Sequence, residues 1–428
     1  MTPASMAAIP LPDVDAAERD TPGRIAALDI VRGVAVMGIL AMNIVGFGMP
    51  FAAYMNPLAY GTPSDADLAS WLLSFIFIDG KMRGLFSFLF GASTLLVIER
   101  ATASGASAAS IHYRRMFWLL LFGLAHFYLI WFGDILVAYA LCGMVLFLFR
   151  DLAPRGLVLW GIGLLVVQML FLGSFGASAL YMSTHAATLD AETARQWQEL
   201  QQQFGPQRGT HLADNLALHL GPWAGLVHHR LFEQGANPFI QVLFFGAETI
   251  AYMLFGMAAL KSGFFRGEWQ PARYRKIALV GLAIAVPVYA AMAWLVASHD
   301  FDVGWVIAVA FAATVPFRPV MIYAYAALII LLTRNGGALV ERIAAAGRAA
   351  FTNYLGTSLL MTTLFYGYGL GLYGSLSRIA LWIPVIATWA LMLLWSKPWL
   401  ERFRYGPFEW LWRSLARWEF QPMRRAPT

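Results

Sequence analysis

Two side chains eight residues apart, His126 and Asp134, are of the types that proton transfer needs. A histidine titrates near neutrality, and a carboxylate can hold one of its tautomers, so a substrate hydroxyl or amine brought within reach would lose its proton to the ring. The alternative is a helix-packing histidine beside an aspartate that caps the next helix. Asn43 is a candidate to orient a substrate carbonyl, or it bonds across helices. A second set is ionic. Asp79, Lys81 and Arg83 interrupt the apolar stretch LASWLLSFIFIDGKMRGLFSFLFGASTLLVIE, and Glu248 and Arg318 are isolated charges in later apolar segments. A charge at bilayer depth costs about 2.5 to 3.5 kcal/mol on insertion scales, so it persists where it is paired, hydrated or useful. These five are candidates to line one polar cavity that binds a substrate or cofactor.

The elements that carry these residues belong in lipid. The 428-residue chain is 59% hydrophobic and 13% charged, with a mean hydropathy of +0.62. Soluble domains average about 25% charged residues, so the composition excludes a soluble globule. Apolar runs of about 17 to 25 residues match the length of a membrane-crossing helix, and the two-residue alternation of an outer-membrane barrel is missing. The fold class is therefore all-α, a polytopic membrane helix bundle of about ten transmembrane helices. The crossings are expected near 26–48, 68–98, 116–132, 134–150, 156–181, 238–260, 277–297, 303–333, 348–366 and 378–396.

Charge asymmetry orients the bundle. With the N-terminus inside, nearly every short connection rich in Lys and Arg falls on the cytoplasmic face, and Arg195, Arg208, Arg230 and Arg378 remain outside. Splitting one of the two long runs would invert everything between it and the C-terminus. N-in and C-in is thus the expectation. Gly80 and Gly84 stand among the charges of the second span, and Pro316 and Pro319 flank Arg318 in the eighth. Both long spans are expected to be broken helices at the point where they carry charge.

Five parts follow from this layout. Residues 1–24, rich in Pro and acidic residues, read as a disordered cytoplasmic tail without a cleavable signal peptide. Residues 25–181 and 238–397 form two bundles of five spans each. Between them, 182–237 reads as an extracytoplasmic loop with amphipathic helices, a solvated lid holding His185, His211, His219, His228 and His229. Their spacing fits no zinc helix, so no metal is expected. Residues 398–428 mix Trp and Arg as an interfacial basic and aromatic cytoplasmic tail. The turn YGYGLGLYG reads as a compact outer loop, and the lone Cys142 as a small buried hydrophobe.

Several long stretches carry a family resemblance: RIAALDIVRGVAVMGILAMNI, LFSFLFG, GLAHFYLIWFGDIL, GRAAFTNYLGTSLLMTTLFYGYGLGLYG and FRYGPFEWLWRSL. Together, from about residue 24 to 418, they resemble the YeiB family of bacterial inner-membrane proteins, whose C-terminal part is the domain of unknown function 418. That family resembles the transmembrane acyltransferase superfamily, which includes heparan-alpha-glucosaminide N-acetyltransferase. The resemblance implies about ten helices, acyl-CoA (acetyl-CoA) as donor from the cytoplasm, and a small-molecule or glycan acceptor acylated on its hydroxyl or amine. The glucosaminide enzyme places its reactive histidine in the loop after the first span. Here VGFGMPFAAYMNPLAYGTP has none.

On that reading His126 is the base, Asp134 its orienter and Asn43 an oxyanion donor, while Lys81, Arg83 and Arg318 meet the donor's phosphates. The alternative is a secondary transporter or channel for a small anion or metabolite, because charges on broken helices near the midplane also form transporter sites. A structural membrane protein without a substrate would leave those charges without purpose. The expected partners are membrane lipids and the acceptor, with no nucleic acid, since the net charge of +6 follows from the inner-face bias. A homodimer stays open.

Overall fold

A computed structural model describes residues 25–425. The expected tail 1–24 lies outside the described residues. The chain is all-α: no β-strand occurs among the described residues, which hold one isolated bridge between Phe403 and Arg424. In order the helices are α1 (Ala26–Gly48), α2 (Ala52–Met55), α3 (Asp65–Phe77), α4 (Lys81–Ala103), α5 (Ala108–Ala125), α6 (Leu136–Leu146), α7 (Pro154–Thr184), α8 (Ala191–Phe204) and α9 (Gly209–Leu220). There follow α10 (Trp223–Phe232), α11 (Asn237–Lys261), α12 (Pro271–Ser298), α13 (Val303–Ile307), α14 (Arg318–Leu332), α15 (Ala338–Arg348), α16 (Ala350–Phe365), α17 (Trp382–Arg402) and α18 (Pro407–Arg417). Two π-helical turns interrupt the series, His126–Ile130 after α5 and Ala308–Ala313 after α13.

Among the described residues six helical units are long and apolar enough to cross a membrane: α1, the α3–α4 unit, α7, α11, α12 and α17. A seventh crossing results if α13 to α14, bent by 56°, is one span. The other three expected crossings fall on shorter or more polar helices, α5 with its π turn, α6 and α16. Large apolar side chains project outward from the long helices, among them Leu170, Leu279, Trp294 and Ile383, each at least 62% exposed. Apolar surface of that extent marks a lipid-facing perimeter.

The centre is built by close helix contact. A Cβ at Gly91 on α4 would lie 1.9 Å from the Met253 carbonyl oxygen, and one at Gly256 on α11 would lie 1.7 Å from that of Phe88. The two backbones touch because neither position carries a side chain, as is usual where lipid supplies no hydrophobic drive between helices. Both long runs break at their charges. Gly80, with φ +73°, separates α3 from α4, and the π turn and Pro316 precede α14. A left-handed φ is open to glycine at no steric cost, so the break sits there.

The intervening segment differs from the solvated lid that its polarity suggests. Its part from 209 to 232 is two helices, α9 and α10, parted at Gly221 and Pro222. His219 and Arg230 are buried against the bundle, because α10 docks through Trp223 Nε1 onto the Leu129 carbonyl at 2.7 Å and Tyr128 donates to the Gly235 carbonyl at 2.6 Å. The C-terminal stretch also packs more deeply than an interfacial tail. Glu409 on α18 accepts the Phe351 and Thr352 amides at 2.6 and 3.1 Å and so caps α16, and Trp412 Nε1 donates to the Arg115 carbonyl.

Candidate functional site

The turn between α5 and α6 joins the proton-transfer pair. His126 Nδ1 lies 2.8 Å from Asp134 Oδ1, and both residues are buried. The second carboxylate oxygen accepts the Val137 amide at 2.8 Å, so Asp134 also caps α6. Both readings of the aspartate therefore hold in one side chain. A carboxylate can only accept, which makes Nδ1 the donor and leaves the lone pair on Nε2. That nitrogen is buried without a hydrogen-bond partner. An orphaned buried polar atom costs free energy, and a wide π turn starting at His126 is the kind of local irregularity found at functional sites.

Tyr354 on α16 connects this pair to a cavity. Its ring centroid is 5.2 Å from that of His126, its hydroxyl accepts the Ile135 amide at 3.3 Å, and it lines a cavity with Asn43, Phe47, Thr357 and Ser358. The cavity leaves about 10 Å³ open to the centre of a water molecule, room for roughly one water. Asn43 is partly buried and has no hydrogen-bond partner among the described residues. Its amide is thus unspent. Tyr354, Thr357 and Ser358 sit in an apolar, helical stretch, where nothing in the spacing separates them from packing residues.

The five ionic candidates form two adjoining groups. Glu248, fully buried on α11, binds Arg318 Nη1 through Oε1 and Arg83 Nη2 through Oε2, both at 2.7 Å. Tyr252 donates a short bond to Oε1, and Gln168 Oε1 receives the Glu248 amide at 3.2 Å. Arg318 also bonds the Ala310 carbonyl, inside the second π turn, and Thr314 Oγ1, just after it, at 2.8 and 2.7 Å. Lys81 turns elsewhere: its ammonium lies 3.5 Å from the centre of the Tyr289 ring and donates to the Phe75 carbonyl. Asp79 interacts with Lys81, Tyr54 and Arg378. One carboxylate thus ties α4, α11 and α14 together beside the Gly80 break. At the other end of α1, Asp29 and Arg32 pair at 3.3 Å and Arg32 reaches Ser93 on α4.

Charge composition had no power to reveal a third cluster, because its members lie far apart in sequence. Arg230 on α10, Trp131 after the first π turn and Tyr366 after α16 are all buried, and Arg230 Nη1 and Nη2, Trp131 Nε1 and the Tyr366 hydroxyl have no well-formed hydrogen bond. His219, close by, stacks on Tyr373 at 4.2 Å, and burial pulls its pKa down to about 4. Among the described residues no three His, Cys, Asp or Glu side chains gather as metal ligands.

Comparison with known proteins agrees with the motifs. Residues 259–419 match the family model described as a protein of unknown function, DUF418. Uncharacterized protein YeiB of Escherichia coli (strain K12) is 35% identical over 402 residues, covering 91% of this chain and 95% of the relative. Uncharacterized protein YxaH of Bacillus subtilis (strain 168) is 32% identical over 423 residues, covering 94% and 96%. No solved structure matches.

Proposed function

The chain belongs to the YeiB family, whose C-terminal part is the domain of unknown function 418, and on that premise we propose that it is an acyltransferase of the bacterial inner membrane. One observation carries the reading: the buried Nε2 of His126, held as a base by Asp134, adjoins through Tyr354 a cavity lined by Asn43. An acceptor hydroxyl or amine gives its proton to Nε2 as its oxygen or nitrogen attacks the thioester carbonyl of acyl-CoA. A C–O or C–N bond forms, the C–S bond breaks, and the proton passes to the departing thiolate. Asn43 Nδ2 donates to the oxyanion in between.

The cavity holds about one water, so the seam between α1 and α16 must open to admit a substrate. Asp79, Lys81, Arg83, Glu248 and Arg318 are given to the donor. Three cations against two carboxylates leave a net charge of +1, which favours a phosphate-bearing acyl-CoA. The acceptor is a small molecule or glycan, and a homodimer is compatible with the outward apolar faces of α7 and α12.

Protein in lipid nanodiscs is incubated with radiolabelled acetyl-CoA, and release of free CoA is followed. His126→Ala is expected to abolish release while keeping the wild-type melting temperature within a few degrees. A folded wild type that neither binds nor cleaves acetyl-CoA overturns the proposal. The 56° break at Arg318 favours a second reading, transport of a small anion or metabolite. Lys81-dependent solute uptake into proteoliposomes, without CoA release, would establish it.

A further inference from the structure

Arg230 is 2% exposed, yet neither of its terminal nitrogens makes a well-formed hydrogen bond. A guanidinium stays charged at any physiological pH, so burying it without an acceptor is costly and calls for an explanation. Among the described residues the ionisable groups that act on it are the neutral phenols of Tyr366 and Tyr368, and no carboxylate is among them. Glu233, three residues on, is taken by His229 at 2.9 Å. Burial pulls the Arg230 pKa down from its ordinary value. Two more donors converge on the same spot. The Tyr366 hydroxyl stands against both Arg230 and Trp131, and both it and Trp131 Nε1 lack a well-formed bond.

The cluster is held rigidly by three separate segments. Trp131 follows the first π turn, its amide bonded to the His126 carbonyl at 2.8 Å and its ring stacked 3.8 Å from that of Phe47. Helix α10 is docked by Trp223 and Tyr128, with Leu226 packed in one core with Trp131 and Tyr366. The loop after α16 is tied to α9 by Gly367 donating to the His219 carbonyl at 2.9 Å and by Tyr373 donating to Asn215 Oδ1 at 2.9 Å. Phe47 also lines the Asn43 cavity, so the two features adjoin.

We propose that Arg230, Trp131 and Tyr366 form a binding site for an oxyanion group, a phosphate or carboxylate, at the end of the bundle closed by α9 and α10. The planar guanidinium offers two parallel N–H groups to such an anion, and the indole N–H and phenol O–H reach further oxygens. The oxyanion belongs either to a lipid headgroup or to a free solute. The site stands whether or not the protein transfers acyl groups.

Thermal melting separates these sources. Lipid-depleted protein in neutral detergent is melted with inorganic phosphate against chloride of equal ionic strength, and nanodiscs of phosphatidylglycerol are compared with phosphatidylcholine. The wild type is expected to melt several degrees higher in the phosphate arm, the phosphatidylglycerol arm or both. Arg230→Gln should lose that increment and Arg230→Lys should keep part of it. If Arg230→Gln does not fold, Tyr366→Phe and Trp131→Phe decide, each with about five- to tenfold weaker apparent phosphate or lipid affinity through loss of one donor. No increment in either arm, or one unchanged in these variants, means a merely hydrated arginine and overturns the proposal.

Discussion

Glu248 Oε1 accepts Arg318 Nη1 at 2.7 Å while its other oxygen accepts Arg83 at the same distance, so one carboxylate is shared by cations from two helices. Glu248→Gln removes that charge and leaves two buried guanidiniums facing an amide. Breaking a buried pair by deleting one partner costs about 3 to 5 kcal/mol. A melting temperature many degrees below wild type is expected in detergent, partly restored by adding Arg83→Met. A wild-type melt would mean that the arginines are hydrated.

Asp134 both orients His126 and caps α6, and the two roles are separable. Asp134→Asn keeps an acceptor for the Val137 amide but presents an amide to Nδ1, favouring the wrong imidazole tautomer. If acyl transfer is the chemistry, kcat should fall about 10³- to 10⁴-fold with KM little changed. Equal loss of stability and activity would make the pair structural.

Burial holds His219 at a pKa of about 4, below its ordinary value near 6.5. The unfolded state therefore binds the proton first as pH falls, and stability is lost between pH 6.5 and 4, at up to about 1.4 kcal/mol per pH unit. His219→Phe keeps the stack on Tyr373 and should flatten that part of the melting curve against pH. An unchanged slope would place the titration elsewhere.

Gly91→Ala puts a methyl into the Met253 carbonyl, 1.9 Å from the ideal Cβ, and must force α4 and α11 apart. A loss of about 1 to 3 kcal/mol, or more, is expected from overpacking. Gly163→Ala on α7 meets nothing within 4 Å and should be neutral or slightly stabilising, as read by melting in the same detergent.

The amino-acid sequence by itself determined the lipid-embedded all-α class, the two breaks at Gly80 and before Arg318, and the placing of His126 and Asp134 on one short hairpin. Each of these depends on residues close along the chain: apolar run length, a glycine or proline beside a charge, and a hairpin too short to separate its ends. Tertiary structure alone decided that Glu248 serves Arg83 and Arg318, that Tyr354 links His126 to Asn43, and that Arg230 meets Trp131 and Tyr366. Those partners lie tens to hundreds of residues apart on helices whose apolar faces look alike. Their meeting was chosen by which backbones touch, as at Gly91 and Gly256, and periodicity records only that a face is buried, not what it is buried against.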